Sequence, residues 1–235
     1  LVAAGSGSRM GGATGDRSKT LLPLFDGRSS LELACRAFVD TGILRGAVVA
    51  IPAGATPEFH SALADLAPQD LIQFVDGGAS RQESVYFALR ALRAAFPTIA
   101  ESDPVLIHDG ARPFISTAEI CSVHDAVVKN GAALLATPTS STLKNVSAEG
   151  VVESTVPRSH IWQAQTPQGF RFGEILAAHQ RARQEGWSAT DDCEIAELAG
   201  LRVRAIPGSA MNMKMTTPDD VTLARAIYTV MTSPS

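Results

Sequence analysis

The run Ala47-Val48-Val49-Ala50-Ile51-Pro52 is short, apolar and rich in β-branched residues, and it stops at a proline. It reads as a strand. Upstream, Leu31, Ala34 and Phe38 recur at spacings of three and four, a helical face with Ser30 placed to cap it. Downstream come Leu71-Ile72-Gln73-Phe74-Val75, then a helical face at Val85, Leu89 and Leu92 behind a possible cap at Ser80. Val105-Leu106-Ile107-His108 and Ala132-Ala133-Leu134-Leu135-Ala136 continue the alternation. Such βα repetition predicts an α/β fold with a mostly parallel central sheet, helices on both faces, and ligands at the C-terminal ends of the strands. One domain spanning 1–235 is ordinary for a chain of 235 residues with 45% hydrophobic content.

A net charge of −4 gives no general attraction to nucleic acid or to anionic membranes, so the expected ligand is a small molecule. Cys35, Cys121 and Cys193 lie far apart without C-x-x-C spacing, which disfavours a zinc site or a disulfide framework and fits a reducing cytoplasm. No run approaches 18 apolar residues and no signal peptide is visible. The chain opens inside an apolar, strand-like segment, as it would if a few native residues preceded Leu1.

The predicted strand ends carry the chemistry. Ala3-Ala4-Gly5-Ser6-Gly7-Ser8-Arg9-Met10-Gly11-Gly12, with Lys19 beyond it, joins a glycine-rich turn to two cations. Backbone N–H groups can approach phosphate oxygens there while Arg9 and Lys19 supply charge, which suits a triphosphate. The loop lacks both the helix-opening G-x-G-x-x-G followed by an acidic residue and the Gly-Lys-Ser/Thr of a Walker loop. Asp76-Gly77-Gly78 follows the third predicted strand, and Asp109-Gly110-Ala111-Arg112-Pro113 the fourth.

Asp109 is a candidate ligand for a hard cation bridging phosphates, with a turn-capping role as the plainer alternative. Arg112 brings a guanidinium beside it. His108, out of phase with Asp109, reads as a satisfied interior histidine. Trp162-Gln163-Ala164-Gln165-Thr166-Pro167-Gln168-Gly169-Phe170 is dense in neutral hydrogen-bonding groups and reads either as a polyol or phosphate contact or as an elaborate loop. Thr190-Asp191-Asp192 opens a helix with Thr190 as its apparent cap and two acids that complement the dipole. Lys214 precedes the last helix, whose first turn holds Pro218, and is either a surface lysine or a phosphate contact.

Between Ser140 and Val156, polar and apolar residues alternate through Thr142-Leu143-Lys144-Asn145-Val146, turn at Ala148-Glu149-Gly150 and return through Val151-Val152-Glu153. This predicts a β-hairpin arm inserted at 139–158. An arm so poor in large apolar residues needs something to pack on, and a second subunit is the obvious candidate.

Together these motifs resemble the 2-C-methyl-D-erythritol 4-phosphate cytidylyltransferase family along essentially the whole chain. The resemblance implies a Rossmann-like, homodimeric nucleotidyltransferase that joins CMP from CTP to methylerythritol phosphate with Mg²⁺ and releases pyrophosphate. By position, Ala3, Ala4, Gly5 and Gly7 match the family's CTP loop, Arg9 and Lys19 its triphosphate cations, Gly77, Gly78 and Ser84 its cytosine and ribose contacts, and Asp109 its metal ligand. Asp109, Arg112, Thr166, Thr190 and Lys214 match the acceptor-binding set, while Thr142 and Arg158 match residues delivered by the partner's arm. Arg9, Lys19 and Lys214 are the implied catalytic cations. Ser18-Lys19-Thr20 stands where Pro-Lys-Gln is common, and Gly11 to Arg17 is longer than in many members. A ribitol-5-phosphate cytidylyltransferase and a non-catalytic nucleotide-binding regulator are the alternatives.

Overall fold

The computed structural model describes residues 1–5, 18–66, 68 and 70–233. Among these described residues the strands are β1 (Ala47–Ile51), β2 (Ile72–Asp76), β3 (Pro104–Ile107), β4 (Ala132–Pro138), β5 (Leu143–Val146), β6 (Val152–Val156), β7 (Trp162–Arg171) and β8 (Arg204–Pro207). The α-helices among them are α1 (Ser30–Val39), α2 (Thr56–Leu63), α3 (Arg81–Ala95), α4 (Thr117–Asn130), α5 (Phe172–Glu185), α6 (Asp192–Leu198) and α7 (Pro218–Thr232).

β1 pairs parallel with β2, Ala47 lying opposite Ile72. The chain's first residues fit between β1 and β3: Val2 bridges Ala50 and Asp109 in parallel, its N–H donating to His108 O at 2.9 Å while Ala3 N–H donates to Ala50 O at 2.8 Å. β7 runs antiparallel to both β3 and β4, and β8 returns parallel to β4. The sheet is therefore mixed, which corrects the simple parallel alternation. The antiparallel strand is the amide-rich segment that reads from sequence as a loop. Its buried stretch, Gln165 to Phe170, includes Thr166, Pro167 and Gln168, and so lacks the continuous apolar run by which a buried strand is recognised.

Alternate residues of one strand point to opposite faces, and the core divides accordingly. Val48 of β1 joins a cluster with Leu89 of α3, Ile175 of α5 and Ile195 of α6, while Val49 and Ile51 pack with Leu31 of α1 and Phe59 of α2. In β4, Ala132 faces the first cluster, and Ala133 and Leu135 meet Ile120 and Val123 of α4. Helices thus cover both faces.

Local capping sets where the loops leave the sheet. Ser80 caps α3 by accepting from Glu83 N–H, and Thr217 caps α7, which begins at Pro218. The cap of α1 is Ser29, not Ser30. Ser30 is buried, its hydroxyl 3.0 Å from Gly110 O and 3.3 Å from Thr20 O. Likewise Asp191, not Thr190, caps α6.

β5 and β6 form a two-stranded sheet of their own, Leu143 opposite Val156. Lys144 Nζ donates to Thr155 Oγ1 at 2.6 Å and Asn145 Nδ2 to Ser154 Oγ at 2.8 Å. Val146, Val151 and Val152 are each more than half exposed on this hairpin.

Candidate active site

Asp109 follows β3 at the carboxyl ends of the parallel strands, its side chain only 8% exposed. Arg81 Nε lies 3.0 Å from Oδ1 and Lys214 Nζ 2.7 Å from Oδ2, so each carboxylate oxygen faces its own cation. Burial raises the carboxyl's pKa, but Arg81, Lys214 and Arg112 outweigh it and hold the group well below the usual carboxylate range.

The backbone of Asp109 is fixed through β7. Thr166 Oγ1 accepts from the Asp109 N–H at 3.1 Å and lies 3.0 Å from His108 Nδ1, while His108 Nε2 lies 3.1 Å from Arg112 O. A carbonyl only accepts, so Nε2 carries the ring proton, Nδ1 is the acceptor and the Thr166 hydroxyl donates to it. Burial pushes the His108 pKa down to about 4, which keeps this neutral form. His108 is the satisfied interior histidine expected from its phase in the strand. Thr166, matched by resemblance to an acceptor contact, has its hydroxyl proton committed inward.

A buried asparagine ties Thr166 to Arg112, two of the residues matched by resemblance to the acceptor set. Asn212 Nδ2 donates to Thr166 O at 2.9 Å, and Asn212 O accepts from Arg112 Nη1 at 2.7 Å. Met215 N–H donates to Ala111 O at 2.9 Å, which closes the segment carrying Lys214 against the loop carrying Arg112. Asp109, Arg112, Thr166 and Lys214 are therefore brought together.

The residues matched by resemblance to nucleotide contacts lie at the neighbouring strand ends. Gly77 N–H donates to Ile51 O at 2.7 Å, and Gly78 N–H donates to Ser84 Oγ at 3.0 Å. Ser84 is buried and its hydroxyl donates to Ser80 O at 2.8 Å, so it shapes this turn. A Cβ on Gly77 would sit 2.2 Å from the Ala4 Cβ, a contact that only glycine allows. Ala3 is buried, Ala4 half-buried and Gly5 exposed. Lys19 opens a 3-10 turn (Lys19–Leu21), tied through Ser30 to Gly110 beside Asp109. Gly7 and Arg9 lie outside the described residues.

Three predicted residues stand apart from this group. Thr142 and Arg158 are exposed at the hairpin, where Arg158 Nη1 donates to Ser140 O. Thr190 is exposed ahead of α6 and donates through Oγ1 to Glu194 Oε2 at 2.9 Å. A separate apolar cavity of about 770 Å³, among Val48, Leu92, Phe96 and Val105, opens toward the starts of β1 and β3 and contains none of these residues.

Sequence reading missed Arg81, Asn212 and the inward role of Asp192. Arg81 is the first residue of α3, where the helix dipole disfavours a cation, and that anomaly is the signal that could have pointed to a specific acidic partner. Asp192, read as a dipole acid, is fully buried. Its Oδ2 lies 2.8 Å from Arg81 Nη1 and its Oδ1 3.1 Å from His179 Nε2. Burial raises its pKa, but Arg81 and His179 bring it below the ordinary value.

Taken as a whole, the strand ends hold one restrained carboxylate among Arg81, Arg112 and Lys214, a concentration of cationic donors that suits phosphate groups. Known proteins agree. A family model described as "IspD: 2-C-methyl-D-erythritol 4-phosphate cytidylyltransferase" matches residues 1–230. A relative of that name from Prochlorococcus marinus (strain MIT 9313) is 38% identical over 227 residues, covering 97% of this chain and 96% of the relative. The crystal structure of the enzyme of that name from Thermus thermophilus superposes with a TM-score of 0.72 at 32% identity, covering 97% of this chain and 96% of that one. The 4-diphosphocytidyl-2C-methyl-D-erythritol synthase of Anaerococcus prevotii DSM 20548 gives 0.77 at 27% identity, with 96% and 94% covered. With sequence, fold and strand-end cluster in agreement along nearly its full length, the chain belongs to the 2-C-methyl-D-erythritol 4-phosphate cytidylyltransferase family.

Proposed function

We propose that this chain transfers CMP from CTP to 2-C-methyl-D-erythritol 4-phosphate, giving 4-diphosphocytidyl-2-C-methyl-D-erythritol and pyrophosphate on the non-mevalonate route to isoprenoid precursors. The observation that carries the reading is Asp109 set between Arg81 and Lys214 with Arg112 alongside. Arg112 Nε is buried with no hydrogen-bond partner among the described residues, a donor that an incoming phosphate would satisfy.

The acceptor's phosphate monoester carries about −1.5 to −2 charge at neutral pH, so its oxygen attacks the α-phosphorus without a general base. A new P–O bond forms, the bond from the α-phosphorus to the bridging oxygen breaks, and its electron pair leaves with pyrophosphate. What opposes the step is repulsion between two anions. Lys19 and Arg9 serve the triphosphate and its departing charge. Arg112 and Lys214, over a floor shaped by Thr166, align the acceptor.

The single carboxylate of Asp109 fits a Mg²⁺ that takes most of its ligands from nucleotide phosphates and water. With the nucleotide bound, such an ion would neutralise phosphate oxygens, and Lys214, one-third exposed, is free to turn from Oδ2 toward a phosphate. Among the described residues no group of three or more His, Cys, Asp or Glu side chains is placed to hold a metal ion.

The exposed valines of the hairpin support a homodimer in which each arm packs on the other subunit and brings Thr142 and Arg158 to its site. No described helix is long and apolar enough to cross a membrane. Pyrophosphate release tests the assignment: turnover with CTP and methylerythritol phosphate is expected. Turnover that instead requires ribitol 5-phosphate would move the chain to the alternative acceptor.

A further inference from the structure

Arg81 joins two carboxylates from different parts of the chain. Its Nε meets Asp109 Oδ1 at 3.0 Å in the site, and its Nη1 meets Asp192 Oδ2 at 2.8 Å behind it. Asp192 is anchored in turn: His179 Nε2 lies 3.1 Å from its Oδ1, and its backbone N–H donates to Gln168 Oε1 at 3.0 Å. The other end of that amide is also committed, Gln168 Nε2 donating to Asp191 Oδ2 at 2.8 Å. The guanidinium is three-quarters buried, and the cap on α3 fixes where its backbone starts. Only a planar fork can meet two carboxylates at once along defined directions; a lysine ammonium would be a point charge between them.

We infer that Arg81 is a positioning residue for the transfer reaction: braced from behind by the Asp192–His179 pair, it fixes the Asp109 carboxylate so that Oδ2 is presented to Lys214, the cation that faces the substrates. The inference rests on the cytidylyltransferase reading. It gives the second acid of Thr190-Asp191-Asp192 a task, since a carboxylate held at one oxygen by an anchored arginine cannot rotate to offer the other. It also separates two roles that share one cluster: Lys214 faces the substrates, whereas Arg81 acts on them through Asp109.

Two variants test this, with melting midpoints and full steady-state kinetics for both substrates. Arg81→Lys keeps the charge and loses the fork. Arg81→Gln combined with Asp192→Asn removes one cation and one anion, so the buried charge balance survives while the clamp does not. Each is expected to melt within about 5 °C of the parent, to keep its KM for CTP within about threefold, and to lose at least about thirtyfold in kcat. A residue that only neutralised buried charge would leave kcat per folded molecule unchanged in the double variant. Parental kcat, within about threefold, in either folded variant overturns the inference, and so does failure of both to fold while the parent is active. If the parent itself does not release pyrophosphate from CTP with methylerythritol phosphate, the cytidylyltransferase reading fails first and carries this inference down with it.

Discussion

The Thr166 hydroxyl lies 3.1 Å from the Asp109 backbone nitrogen and hands its own proton to His108, so a residue of β7 sets the height of the site's carboxylate. Thr166→Val keeps the shape and leaves both the Asp109 N–H and His108 Nδ1 buried without a partner. The expected cost is about 1–3 kcal/mol of stability, together with lower kcat, and Thr166→Ser should recover most of both. Urea unfolding alongside turnover measures it; a Val variant as stable and active as the parent would contradict the network.

Lys214 is one-third exposed, so solvent screens its pairing with Asp109 and its removal should hardly affect folding. In the reaction its loss should be severe. Lys214→Ala is expected to lower kcat/KM for the polyol phosphate by about 10²–10³ with little change in melting midpoint. Kinetics varied in each substrate would show whether the loss falls on the acceptor, as expected, or on CTP.

Gly77→Ala places a methyl 2.2 Å from the Ala4 Cβ and 2.9 Å from Ser84 Oγ, so the turn beside the nucleotide loop must move. The CTP KM should rise at least about tenfold, equivalent to ~1.4 kcal/mol of binding. In the parent, ATP and GTP should turn over far more slowly than CTP, because polar groups of this turn matched to cytosine would be left unpaired against a purine. Equal turnover of all three nucleotides would refute the assignment of the turn to the base.

Lys19→Ala and Arg158→Ala should each be inactive alone. If the arm delivers Arg158 across a two-fold axis, unfolding the two variants and refolding them together makes about half the dimers mixed, each with one intact composite site, so roughly a quarter of all sites recover. Verified mixed dimers without activity would place both residues in one subunit's site.

Cys35 lies on the buried face of α1, and burial pushes its thiol up to about 12. The folded chain therefore keeps a proton that the unfolded chain releases above pH about 9. Stability from this source is complete below pH 9 and is lost as pH rises toward 12, by roughly 4 kcal/mol in all. Urea unfolding between pH 8.5 and 10.5 should fall more steeply for the parent than for Cys35→Ala, and parallel slopes would show that the thiol is not desolvated.

The parts of the fold readable from sequence are those where period and punctuation agree: β1, β2 and β3 with their following turns, α3 behind Ser80, and the hairpin around Gly150. The glycine turns and Asp109 were legible because their chemistry sits at strand ends. β7 was not, since its buried stretch is built from hydrogen-bonding side chains whose partners are remote in sequence: Gln165 with Ser209, Thr166 with His108, Gln168 with Asp191. Arg81 was illegible for the same reason. Its meaning depends on Asp109 and Asp192, 28 and 111 positions away, and no local pattern records that convergence.

β7 starts at Trp162, with five residues between it and Val156, where the hairpin's second strand ends, and the same strand carries Gln165, Thr166 and Gln168 into the site. In a strand, a slip of one residue exchanges every inward side chain for an outward one. The linker 157–161 is consequently a phasing element: a one-residue deletion there either pulls the arm inward or turns Thr166 and Gln168 away from Asp109 and Asp192. Arms grafted from relatives should succeed when the count from hairpin to Thr166 is preserved, whatever the arm's own sequence.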